Sequence, residues 1–124
     1  MMVTDLIGHP YTKEHDCNWL HCTVAQRAGK AVDLPETPDS KEDWPEFYRD
    51  VIAKHYRKVE SPKEGDLAVF EVPDKNHKMQ WHCGTITRPG WMITTRQTVG
   101  VHLARLNAAL WRVCFKGYYT YDPH

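Results

Sequence analysis

The chain changes its periodicity once, near residue 61, and that change limits the folds open to it. Before it, apolar residues recur at helical spacing. Trp44, Phe47, Tyr48, Val51, Ile52 and Tyr56 give one buried stripe, because residues three and four apart share a helix face. Asp43 and Glu46 form a D-x-x-E version of the capping box at the start of this helix, and Pro45 falls in its first turn, where a missing N–H is tolerated. An earlier helix is expected over about 17 to 28, with Asp16 as N-cap, Gly29 closing it, and Trp19, Leu20 and Val24 turned inward. Leu34-Pro35-Glu36-Thr37-Pro38-Asp39-Ser40 connects the two. After Ser61-Pro62-Lys63-Glu64-Gly65 the pattern becomes short β-branched and aromatic runs at 66–72, 81–87, 91–96, 100–103 and 111–119, punctuated by Arg88-Pro89-Gly90 and by Gly100. Helices first and strands second predict an α+β domain whose N-terminal helices pack on one face of a five-stranded antiparallel sheet.

A chain of 124 residues with 41% hydrophobic content can build one core and has little room for a second, so residues 1–124 are expected to form a single domain. Sixteen lysines and arginines balance sixteen aspartates and glutamates. That balance gives no broad basic surface of the kind that binds duplex nucleic acid, so no nucleic-acid partner is expected. No apolar run approaches the roughly 20 residues that span a bilayer, and the first residues lack a basic region followed by an apolar stretch. The expected product is made in the cytoplasm without a signal peptide and has no membrane span. In such a setting Cys17, Cys22, Cys83 and Cys114 read as reduced thiols rather than a disulfide framework.

Two residues stand out as chemistry. Cys17 follows Asp16 at a helix start, where the partial positive charge and free N–H groups lower a thiol pKa and can hold an oxyanion. His82, in Trp81-His82-Cys83-Gly84, sits within an expected strand and projects from the face opposite Trp81 and Cys83. Gly84 beside it removes bulk where another group approaches. A thiol and an imidazole of this kind suit a cysteine hydrolase, with the nucleophile meeting its base where the first helix abuts the second strand. The plain alternative for Cys17 is a small buried apolar residue, and for His82 a structural strand histidine. Cys22, Cys83 and Cys114 read as packing. A zinc site from Cys17, His21, His82 and Cys83 is a further alternative, but adjacent strand residues point to opposite faces and no C-x-x-C element anchors it.

With Pro10-Tyr11 before Asp16-Cys17, Gly65-Asp66-Leu67-Ala68-Val69-Phe70 opening the sheet, His82-Cys83-Gly84, and then Trp91-Met92-Ile93 and Gly100-Val101, the sequence resembles the NlpC family of papain-like cell-wall cysteine peptidases over nearly its whole length. The resemblance implies a papain-like fold, Cys17 as nucleophile and His82 as base. It implies that Tyr11, ahead of the cysteine and near Asp16, lines the substrate and oxyanion site. The third polar residue of the family, commonly histidine, corresponds here to Thr94, whose hydroxyl can accept the His82 N–H bond; Gln97 or a water are the alternatives. No metal or organic cofactor is implied.

A short chain with an aromatic tail at Trp111, Tyr118, Tyr119 and Tyr121 looks most like NlpC-type proteins encoded among phage tail genes. The resemblance then implies a peptidase of the tail tip or hub, in the virion tail, with peptidoglycan stem peptides as substrate and other tail proteins as partners. A signal-free bacterial amidase is an alternative. A second is a catalytically silent tail-assembly protein that keeps the peptidase fold.

Overall fold

The computed structural model describes residues 2–74 and 76–124, with Lys41 described by its backbone only. Among the described residues the chain forms three α-helices and six strands, in the order α1 (Cys17–Arg27), a 3-10 turn (Lys41–Asp43), α2 (Trp44–His55), β1 (Tyr56–Val59), β2 (Leu67–Pro73), β3 (Met79–Arg88), β4 (Trp91–Arg96), β5 (Gly100–Arg105), α3 (Ala109–Cys114) and β6 (Phe115–Tyr121). The strands make one antiparallel sheet in the order β1-β6-β2-β3-β4-β5. The class is α+β, as the sequence implies, but with six strands instead of five.

The extra strand is β1. Tyr56, Arg57 and Lys58 continue the helical stripe and basic last turn of α2 in the sequence. In the fold they turn extended at Tyr56 and pair with β6, Tyr56 opposite Tyr121 and Val59 opposite Tyr118. That pairing joins residues about 60 apart, which no local pattern encodes. The expected strand at 111–119 is also revised. Its first part is α3, because Trp111 and Cys114 lie three apart and both reach the core beside Phe70. Asp43 does precede α2, but its side chain caps nothing.

Strand alternation divides the core into two faces. On one, α1 and α2 cover the sheet: Leu20 and Val24 meet Ile93 and Val101, while Val51 and Tyr56 meet Leu67, Val69 and Cys83. On the other, Ala68, Phe70, Ile86 and Met92 pack under Trp111 and Cys114 of α3. A half-buried ion pair ties the loop after α1 to the start of β2, Lys30 Nζ to the buried Asp66 Oδ1 at 2.9 Å, and Asp66 also accepts the Lys63 N–H.

Candidate active site

Helix α1 begins at Cys17 because Asp16 caps it. The Asp16 backbone is extended, and its Oδ1 accepts the Trp19 N–H at 2.9 Å. Burial raises the pKa of this carboxyl, against the hydrogen bonds it accepts from the Trp19 and Asn18 backbone and the Thr37 hydroxyl. Asp16 is therefore a cap, and it also lines a cleft of about 490 Å³ with Tyr11, Thr37, Trp44 and Gln97. The Tyr11 hydroxyl is pushed up to about 12, first by burial and then by neighbouring Cys17 and Asp16. Tyr11, Asp16 and Cys17 thus gather at one end of α1, as the sequence implies.

Cys17 is half-buried in the first turn of α1 and packs against the cluster of Val69 and Cys83. The neighbouring Cys83 holds the Cys17 thiol below the ordinary cysteine range, opposed by burial and the Asp16 charge and helped by the Tyr48 hydroxyl. Cys83 Sγ also donates to the Cys17 carbonyl oxygen at 3.5 Å. The same contact, with burial, drives the Cys83 thiol well up.

His82 lies elsewhere. It stands opposite Phe70 in the register of β2 and β3, and its ring stacks on Trp111 at 5.2 Å between centroids. It therefore belongs to the face covered by α3, while Cys17 sits against Cys83 on the face covered by α1. The expected meeting of nucleophile and base where α1 abuts β3 is not made: α1 meets Cys83 there. The physical reason is the alternation of side chains along β3, which sends adjacent residues to opposite faces.

His82 and its expected orienter are together. His82 Nε2 lies 2.7 Å from Thr94 Oγ1, and that hydroxyl donates its hydrogen to the Cys83 carbonyl at 2.8 Å. A threonine hydroxyl has one hydrogen, so Nε2 carries the proton and donates, leaving Nδ1 as the basic nitrogen. Burial, with Arg96 and His102 adding positive charge nearby, pushes the His82 pKa down to about 3. Gln97 is not at His82 but on the cleft beside Asp16.

His21, which the sequence offered only to the alternative zinc site, is buried and bonded on both nitrogens, Nδ1 to Thr85 Oγ1 at 2.9 Å and Nε2 to the Tyr56 hydroxyl at 2.6 Å. These bonds tie α1 to β3 and β1. Among the described residues no three His, Cys, Asp or Glu side chains converge as metal ligands, and no helix is long and apolar enough to cross a membrane. Cys83 and Tyr48 are the site residues that the sequence reading missed. The signal for Cys83 was available in the alternation that put it opposite to His82; that for Tyr48 lay only in tertiary packing. No protein-family model matches the chain, and no curated protein matches it.

Proposed function

We propose that this chain is a phage tail-associated cysteine peptidase of the NlpC type, with a papain-like fold, that cleaves peptide or amide bonds of peptidoglycan stem peptides. In this reading Cys17 is the nucleophile, His82 the base, Thr94 its orienter, and Tyr11 with the α1 N–H groups the oxyanion side of the cleft. The observation that carries it is the hydrogen bond of His82 to Thr94, which fixes Nε2 as the protonated nitrogen and leaves Nδ1 to accept a proton. This reading requires His82 to reach the face of Cys17, a move that the pairing of β3 with β2 and β4 opposes. The Cys17 thiolate would attack the carbonyl, His82 would protonate the leaving amine, and water would release the acyl group.

A second reading is a tail-assembly protein that keeps the fold without turnover. The position of Cys17 and His82 on opposite faces of β3 favours it. The pH dependence of Cys17 alkylation by iodoacetamide, in the wild-type chain and in His82→Ala, separates the two when modified sites are located by peptide mass spectrometry. Cys17 labelling well below pH 8 that slows several-fold in His82→Ala supports the peptidase. Labelling indifferent to His82 supports the silent form.

A further inference from the structure

The contact that replaces the expected dyad is a pair of thiols, and it suggests a modification site. Cys17 and Cys83 come from α1 and β3, 66 residues apart in sequence, and Cys83 Sγ lies 3.5 Å from the Cys17 carbonyl oxygen. The Cys17 side chain packs against the buried cluster that contains Cys83. Cys17 is half-buried at a helix N-terminus, and Cys83 is buried directly behind it. This is the layout of an attacking thiolate with a resolving thiol at its back. Cys22 and Cys114 do not share it: Cys114 belongs to the cluster under α3 on the other face, and burial raises the Cys22 thiol to about 11.

We propose that Cys17 and Cys83 form a reversible intrachain disulfide in response to a hydroperoxide. The Cys17 thiolate attacks the peroxide oxygen, the O–O bond breaks, and for hydrogen peroxide one water leaves after proton uptake, giving a Cys17 sulfenic acid. The Cys83 sulfur then displaces the sulfenic oxygen, its proton leaving with that oxygen as a second water. Two thiols are oxidised by two electrons, and one peroxide is reduced to two waters. Cys83 keeps its proton until the attack, and that proton passes to the departing sulfenic oxygen as the S–O bond breaks and the S–S bond forms. The bond consumes the free Cys17 thiol at the start of α1 and returns it on reduction. The inference depends on the thiol contact alone and holds whether or not His82 serves as a base.

The test is treatment of the full chain with a small molar excess of hydrogen peroxide, followed by alkylation, non-reducing digestion and tandem mass spectrometry. Trypsin leaves Cys17 and Cys22 in one peptide, so a Cys22→Ser chain is run beside the wild type. In both, a peptide joining 17 to 83 should appear, two hydrogens lighter than the separate peptides, and iodoacetamide labelling of Cys17 should fall at least tenfold and recover with dithiothreitol. In Cys83→Ser the link should vanish and Cys17 should instead be trapped as sulfenic acid by dimedone. A wild-type chain that accumulates dimedone-reactive or overoxidised Cys17 without the link overturns the proposal. So does one in which Cys17 stays reduced, or links to another cysteine instead.

Discussion

His21 and His82 are both buried, and burial holds both neutral, His21 down to about 4 and His82 to about 3. Their ordinary value near 6.5 applies in the unfolded chain. Below pH 6.5 the unfolded chain therefore binds protons that the folded chain refuses, and stability must fall with pH. The stabilisation is complete above 6.5 and is lost progressively down to about 4 for His21 and about 3 for His82, at about 1.4 kcal/mol per pH unit for each histidine within its window. Urea unfolding between pH 7 and pH 5 should give a midpoint that drops steadily, with His21→Gln weakening the slope. A midpoint flat over that interval would show that neither imidazole is as desolvated as its packing implies. His21 bonds the Thr85 and Tyr56 hydroxyls on its two nitrogens, so a proton added there requires the hydroxyl that donates to the bare nitrogen to turn and accept instead.

At the scale of elements, legibility followed locality. Helix α1 and its cap could be read because Asp16, Cys17 and the inward Leu20 and Val24 lie within one short segment, and β4 was bounded by Pro89-Gly90 and Gly100 at its ends. Strand β1 and helix α3 could not, since Tyr56 looks helical until β6 pairs with it, and Trp111-Arg112-Val113 looks β-like until Trp111 finds Phe70. The site was legible in the same proportion. His82 with Thr94 and the group of Tyr11, Asp16 and Cys17 were expected, but which face each group occupied was decided by strand register. Gly84 has a specific cause that the sequence signalled without naming its neighbour: an added Cβ would come within 2.2 Å of Met92 Sδ, on the fully buried Met92 of β4. Gly84→Ala should therefore cost about 1–3 kcal/mol by overpacking. In a Met92→Ala background the cost should shrink to below about 0.5 kcal/mol, because the clash is then absent. Urea unfolding of the four chains measures the coupling; equal costs in both backgrounds would put the strain elsewhere in β3.

The whole molecule is a sheet with unequal cover. Two longer helices, α1 and α2, cover one face with Cys17 and Cys83, while the six residues of α3 protect the face that holds His82. Trp111 supplies most of that protection: it is buried, stacks on His82, meets Phe70 edge-on at 5.0 Å, and carries Arg96 over its ring at 5.6 Å. Around it α3 exposes Leu110 and Val113, so the helix is anchored through one side only. Removing the ring should cost about 3–5 kcal/mol. It should also let water reach His82, moving its pKa upward from about 3 toward the ordinary histidine range, because burial is the largest cause of its depression. Trp111→Phe should retain stacking and give a smaller change in both quantities. Urea unfolding gives the first quantity, and the His82 imidazole proton shift in an NMR titration gives the second. A Trp111→Ala chain that stays folded with the His82 titration unmoved would mean that Thr94 and the sheet, not α3, keep His82 dry.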